Sequence, residues 1–166
     1  MDLEALFARH HGELFRYVAR YTGEPDLADD IVQDVFVRLA TRPPALESNL
    51  RGWLFRAATT IAIDSLRSSR RRLRLMRDRP ECLPMADAPP DPDAELGRAE
   101  ARRRVREALL ELAEKERAVL LMREEGFAHR EIAAAVGTTT KSVGTMVARA
   151  LEKLARRLDL DALEAP

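Results

Sequence analysis

His129-Arg130-Glu131-Ile132-Ala133-Ala134-Ala135-Val136-Gly137-Thr138-Thr139-Thr140-Lys141-Ser142-Val143 reads as a helix, a tight turn and a second helix. Ala133 stands four residues before Gly137. That spacing puts a small residue where two helices touch and a glycine where the backbone needs positive φ. Thr139 or Thr140 can cap the second helix, whose exposed face carries Lys141, Ser142, Thr145 and Arg149. In a helix-turn-helix the second helix enters the major groove with its N-terminal residues toward base edges. An ordinary helical hairpin is the plainer alternative. His129, Arg130 and Arg123 stand where they could reach phosphate.

Working outward, the chain has 166 residues, 46% apolar and 34% charged, with a net charge of zero. It can bury a core, and no apolar run reaches the ~18–20 residues of a membrane span. Asp2 and Glu4 stand where a signal peptide would be basic, so the cytoplasm is the expected compartment. Cys82 is the single cysteine, which excludes an internal disulfide and a cysteine metal site. His10 and His11 are consecutive and do not share a helix face, so no metal is expected. No glycine-rich phosphate loop or catalytic pairing is present; neither an enzyme nor a cofactor is expected.

Charge is unevenly spread. Residues 1–75 carry net +2, residues 76–97 net −4 and residues 98–166 net +2. Basic ends and an acidic middle suggest two nucleic-acid-facing units on a tether. The basic residues are almost all arginine, whose planar fork suits phosphate. Five prolines between Arg77 and Gly97 (80, 84, 89, 90, 92) mark the tether.

Before the tether, helical periodicity predicts three helices. The first spans 3–21, with Leu3, Leu6, Phe7, Leu14, Val18 and Tyr21 on its apolar stripe. The second spans 26–40 and turns Leu27, Ile31, Val35, Phe36 and Leu39 inward. Its other face gathers Asp26, Asp29, Asp30, Gln33 and Asp34, with Val37 beside them. Like charges at such spacing repel by a few tenths of a kcal/mol per pair, a cost that a basic partner surface would relieve. The third spans 50–74 and combines Trp53, Arg56, Thr59 and Thr60 with Arg67, Arg70, Arg71, Arg72 and Arg74. Arginines that track phosphates beside an aromatic that stacks on bases suit single-stranded DNA. A core Trp with a solvated basic tail is the plainer alternative. After the tether, helices are expected over 98–113, 114–124 and the opening unit to about 158, with no strand series. The fold class is therefore all-α: two small helical domains, 1–76 and 98–166, joined by a Pro-rich acidic linker, 77–97.

Asp26-Leu-Ala-Asp-Asp-Ile-Val-Gln-Asp-Val-Phe-Val-Arg-Leu39 resembles the second region of bacterial RNA polymerase sigma factors of the extracytoplasmic-function (ECF) group. Arg51-Gly-Trp-Leu-Phe-Arg-Ala-Ala-Thr-Thr-Ile-Ala-Ile-Asp-Ser-Leu-Arg67 resembles the segment after it, which melts and reads the −10 promoter element. Residues 112–158 resemble the fourth region, which reads the −35 element. The resemblance implies a sigma factor that binds core RNA polymerase, through its β′ clamp helices and β flap, and directs it to promoter DNA. It assigns Asp26, Asp29, Asp30, Gln33 and Asp34 to polymerase docking. To the −10 element it assigns Ser48, Asn49, Trp53, Arg56, Thr59, Thr60, Arg67, Arg70 and Arg71, with the loop 41–49 holding a flipped base. Arg123, Thr145 and Arg149 match −35 contacts and join His129, Arg130, Thr139, Thr140, Lys141 and Ser142. The linker would run through the polymerase channels, and an anti-sigma factor is a further expected partner.

Two departures stand out. The family usually has Asn at Thr60, and its recognition helix often reads Thr-Val-Lys-Ser-Arg, where this chain has Ser142-Val143-Gly144-Thr145-Met146. Val147-Ala-Arg-Ala-Leu151 resembles the iron-starvation (ferric-citrate-type) branch, as does the stretch Trp53–Thr59. The rival reading is a stand-alone helix-turn-helix regulator that binds duplex DNA without polymerase. It leaves the acidic helix and the Trp53 segment without a task.

Overall fold

The computed structural model describes residues 2–44, 49–77 and 94–164. Within them the chain forms seven α-helices and no strand: α1 (Leu3–Thr22), α2 (Pro25–Thr41), α3 (Leu50–Arg77), α4 (Ala94–Glu111), α5 (Glu114–Glu124), α6 (His129–Val136) and α7 (Thr140–Glu164).

Local sequence fixes most helix ends. Asp2 caps α1, its Oδ1 accepting the Ala5 N–H at 3.1 Å, and Gly23 closes the helix at φ 77°. Pro25 opens α2 at a position whose N–H would have no intrahelical acceptor. Asn49 caps α3 by accepting the Gly52 N–H at 2.8 Å. A Cβ at residue 52 would lie 2.8 Å from the Asn49 side chain, so glycine makes room for that cap. Glu131 folds back onto the Ala128 N–H at 2.8 Å to start α6. Gly137 ends it at φ 65° as the Thr138 N–H returns to the Ala133 carbonyl at 3.0 Å. Thr139 then caps α7 by accepting the Ser142 N–H at 3.2 Å, which decides between Thr139 and Thr140.

Three boundaries differ from the sequence reading. Helix α4 begins at Ala94, inside the stretch assigned to the linker, because Ala94, Glu95 and Leu96 are strong helix formers whose signal the neighbouring prolines obscure. Likewise α3 reaches Arg77, and α7 continues past 158 to Glu164. On α1 the outer stripe is only partly covered: Leu3 is 36% and Phe7 40% exposed, while Leu14, Val18 and Tyr21 are fully buried. Phe7 still packs edge-on against Phe36, ring centroids 4.9 Å apart.

Helices α1, α2 and α3 enclose Leu14, Val18, Ile31, Val35, Leu39, Leu54 and Ile61. Helices α4 to α7 enclose Leu109, Leu112, Val119, Met122, Ile132, Val136 and Val143. The two units pack on each other, α3 against α6 and α1 against α4 and α5, so one continuous core runs through both. Phe55 of α3 meets Phe127, before α6, with ring centroids 4.7 Å apart. Arg51 lies 4.3 Å from the Phe127 ring centroid and 5.0 Å from that of Phe55.

Arg117 is the bolt of this seam. It is 1% exposed, yet its guanidinium makes four hydrogen bonds to carbonyls. Its Nε donates to Leu109 O at 2.9 Å, Nη1 to Tyr21 O at 2.8 Å, and Nη2 to Leu110 O at 2.5 Å and Leu112 O at 3.1 Å. These oxygens belong to or follow the last turns of α1 and α4, the negative ends of both helix dipoles. Two helix C-termini thus solvate a buried cation that no carboxylate touches directly.

Candidate functional site

The acidic face of α2 points to solvent. Asp26, Asp30, Gln33 and Asp34 are exposed, and Val37 after them is 60% exposed. Asp26, Asp30 and Asp34 make no ion pair among the described residues. Asp29 is half-buried and engaged: it accepts from Gln33 Nε2 at 2.8 Å and stands 3.7 Å from His11 Nε2. The face is therefore a row of three unpaired carboxylates that ends on an exposed valine, with a fourth held from behind. Helix α2 alone sets this pattern, because the residues it turns inward (Ile31, Val35, Phe36, Leu39) fix its rotation.

On α3 the structure divides the residues assigned to −10 reading. Arg56, Thr60, Arg67, Arg70 and Arg71 are exposed. Trp53 is half-buried and packs against the core. Thr59 is a correction: it is fully buried and out of reach of DNA. Its hydroxyl donates to the Phe55 carbonyl at 2.7 Å and lies 2.7 Å from the Tyr17 hydroxyl. Thr59 shares the inward face with Phe55 and Ala62, and its short side chain satisfies its polarity locally. Thr60, one residue on, turns outward and donates to the Arg56 carbonyl at 2.9 Å. Ser48 lies outside the described residues, as do positions 45–47 of the expected base-holding loop and the linker from 78 to 93.

The exposed arginines of α3 are not all free. Glu114, the first residue of α5, takes two of them. Its Oε2 accepts from Arg67 Nε at 3.0 Å, with Nη2 of the same arginine 2.9 Å away, and its Oε1 accepts from Arg70 Nη1 at 3.2 Å. Asn49 is engaged in the same way: its Nδ2 donates to the Glu131 carboxylate of α6. Nearby, Arg51 pairs with Glu13 at 3.0 Å, and His10 Nδ1 lies 2.7 Å from the other Glu13 oxygen. Burial acts to raise the Glu13 pKa, but the hydrogen bonds from His10 and Arg51 outweigh it and hold the carboxyl below its ordinary value.

In the helix-turn-helix, Lys141, Thr145 and Arg149 are exposed on α7 and Ser142 is half-buried behind Thr139. Thr139, Thr140, Arg123 and Arg130 are exposed, and His129 is half-buried. Arg123 Nη1 lies 2.9 Å from His129 Nε2, which joins α5 to the start of α6. Beyond the backbone of its own helix, the nearest heavy atom to a Cβ built at Gly144 is His129 Cε1 at 3.8 Å. That glycine serves no close approach.

Sequence reasoning missed Arg117, Glu114 and Glu131. A signal for Arg117 existed: it falls in register with Ala118, Leu121 and Met122 on the apolar stripe of α5, where a charge needs a buried partner. Glu114 and Glu131 gave no signal, because nothing local says which distant arginine a surface carboxylate will meet. Among the described residues no three His, Cys, Asp or Glu side chains converge as a metal site. No helix among them is long and apolar enough to cross a membrane.

Residues 6–72, covering α1 to α3, match the family model of Sigma-70 region 2, and residues 102–154 match that of Sigma-70, region 4. The RNA polymerase sigma factor CarQ of Myxococcus xanthus is 31% identical over 91% of this chain and 86% of its own. The chain belongs to the ECF-type RNA polymerase sigma factors. The ECF RNA polymerase sigma factor SigG of Mycobacterium tuberculosis is 32% identical over 99% of this chain, which spans about half (51%) of SigG's length. Among solved structures, CnrH in complex with the cytosolic domain of CnrY superposes with a TM-score of 0.65 at 27% identity, over 96% of this chain and 88% of CnrH.

Proposed function

We propose that this chain binds core RNA polymerase through the acidic face of α2 and directs it to promoters, with α3 on the −10 element and α6–α7 on the −35 element. As a sigma factor it is not an enzyme, and it works in the cytoplasm beside the chromosome. The observation that carries the proposal is the α2 face: unpaired Asp26, Asp30 and Asp34, followed by a 60%-exposed Val37. A row of uncompensated acids that ends on an exposed apolar residue fits a basic protein partner and repels DNA, so polymerase is the docking target there. The basic elements, α3 and α7, are left for promoter DNA. The β′ clamp helices fit the α2 face, and the β flap is the second polymerase contact, reached through the 98–166 unit. A protein inhibitor of the anti-sigma kind is a further partner, supported by CnrH, which binds a cytosolic domain of another protein.

The −10 set reduces to Ser48, Asn49, Trp53, Arg56, Thr60, Arg67, Arg70 and Arg71 once Thr59 is withdrawn. The −35 set stays as Arg123, His129, Arg130, Thr139, Thr140, Lys141, Ser142, Thr145 and Arg149. Placement in the iron-starvation branch rests on Val147–Leu151 and Trp53–Thr59. Transcripts that respond to iron chelation would support it.

Reconstitution with core polymerase, followed by sequencing of transcript 5′ ends, tests the function. Initiation at promoters sharing −10 and −35 elements is expected only when the chain is added. Tight binding of a palindromic duplex by the free chain, with no change in initiation, would overturn the proposal.

A further inference from the structure

Between the last turn of α1 and the middle of α4 lies a half-open cavity of about 590 Å³. Small-molecule sites occupy about 300–1,000 Å³, so the space is of that size. The sequence makes the hollow. On the α1 side, Ala19 is too small to fill it, and Gly23 sits in a left-handed conformation that a side chain adopts only with strain. On the α4 side, Val105 and Leu109 stand one turn apart and supply an apolar wall, with Val105 left 38% exposed.

Three guanidinium groups line this apolar hollow, those of Arg20, Arg102 and Arg106, and no carboxylate of the described residues joins them. The arginines of α4 divide accordingly. Arg103 and Arg104, which do not line the cavity, are held by Glu100 at 2.7 Å and 3.2 Å. Arg102 and Arg106 line it and make no ion pair among the described residues, while Arg20 is taken by Glu124 at 2.5 Å. A guanidinium holds a carboxylate through two parallel N–H donors, and two guanidinium groups one helical turn apart can share one. A DNA phosphate would bring the charge but nothing to cover Val105 and Leu109. A neutral apolar molecule would cover them but leave the charge unmet.

We propose that this cavity binds a small organic anion with an apolar body and a terminal carboxylate. The body lies on Val105 and Leu109, and the carboxylate sits between Arg102 and Arg106. The walls come from both helical units, so an occupant adds its contacts to the seam and stabilises the folded chain by mass action.

The test titrates the full chain with octanoate by isothermal calorimetry, below the concentration at which it forms micelles, and with octanol as the neutral counterpart. Saturable binding of octanoate is expected, with a higher melting temperature at saturation. Octanol should bind roughly five- to tenfold more weakly. Arg102→Gln with Arg106→Gln should remove that advantage and leave octanol binding unchanged. Arg103→Gln with Arg104→Gln is the control for overall charge and should change neither affinity. Val105→Trp should fill the cavity and abolish binding of both molecules. Val105→Glu, which sets a carboxylate of the chain itself beside the two arginines, should abolish octanoate binding if the tryptophan variant melts early.

Absence of saturable octanoate binding would overturn the proposal. Equal affinity for octanoate and octanol would do so too, since the arginines would then take no part. The same holds for an equal loss in the Arg103 and Arg104 control, or for octanoate binding that survives both Val105 variants.

Discussion

Helices α2 and α3 belong to the same three-helix unit, and both carry a dense single-sign face, yet those charges are met in opposite ways. The acids of α2 face solvent, with only Asp29 engaged from within. At the far part of α3, Arg67 and Arg70 are answered inside the molecule by Glu114, while Arg71, Arg72 and Arg74 stay exposed. The difference follows from where the second domain sits. It packs on α1 and α3 and leaves the outer side of α2 untouched. A charged face left open is ready for a partner on encounter, whereas one already paired must first lose its internal partner.

The comparison breaks most sharply on the open side. Asp30→Arg with Asp34→Arg should abolish binding to core polymerase and leave the far-ultraviolet circular dichroism melt unchanged, since both residues are exposed. Removing one partner of a desolvated charge pair costs about 2–5 kcal/mol. Wild-type affinity in a fluorescence titration would remove the α2 face from the docking assignment.

On the closed side, the seam depends on Arg117. Arg117→Met would take the guanidinium donor from four carbonyls, of which Leu109 O keeps the Leu112 N–H at 3.2 Å. At roughly 1–3 kcal/mol per buried group left unsatisfied, with some re-satisfied by water, a loss of about 2–4 kcal/mol is expected. Urea denaturation should show it, and Arg117→Lys should fall between, because one ammonium has three donors and no fork. A seam unaffected by Arg117→Met would mean that apolar contacts such as Phe55 on Phe127 hold the domains together.

Alkaline titration reads the same seam from another group. The two tyrosines, Tyr17 and Tyr21, are both buried. Burial pushes the Tyr21 phenol up to about 12, partly offset by the positive charge of Arg117. Tyr17 is raised further by burial, against the lowering effect of its hydrogen bond to Thr59. A raised folded-state pKa gives stability that is complete below the ordinary phenol value of about 10 and is lost as pH climbs toward the folded value. Phenolate absorbance at 295 nm should therefore stay low through pH 10.5 and rise together with loss of helix. Early titration of one tyrosine, with helix retained, would show that the seam opens on its own.

The smallest expected effect is a gain. Gly144 lies within α7, and beyond the backbone of its own helix no heavy atom is closer than 3.8 Å to a Cβ built there. Gly144→Ala should stabilise the chain by about 0.5–1 kcal/mol, read as a higher melting temperature. A loss instead would show that α7 needs the bend or the access that glycine allows.

Much of this protein was legible in order of residues. The turn at Gly137 followed from a glycine needing positive φ between two periodic stretches, and a hydroxyl cap from the threonines before the second helix, though the choice of Thr139 over Thr140 needed the structure. The α2 face was visible because a helix's own periodicity sorts its inward and outward residues. Thr59 and Thr60 were harder: adjacent threonines look alike in sequence, and only the rotation of α3 in its core buries one beneath Tyr17 and exposes the other. The helix start at Ala94 was hidden by proline-rich neighbours, whose composition outweighs three good helix formers in any window that includes them.

The sequence by itself determined the elements: seven helices, most of their inward faces and the turn, all governed by interactions spanning about four residues or fewer. Only the tertiary structure decided how the units meet. The partners that matter there are far apart in the chain, Arg67 and Glu114 or Tyr21 and Arg117. Nothing in a local pattern selects one distant carboxylate or carbonyl among many. That choice follows from which apolar surfaces pack and which helix ends converge, because a cation can be buried only where enough oxygens arrive together to replace its water.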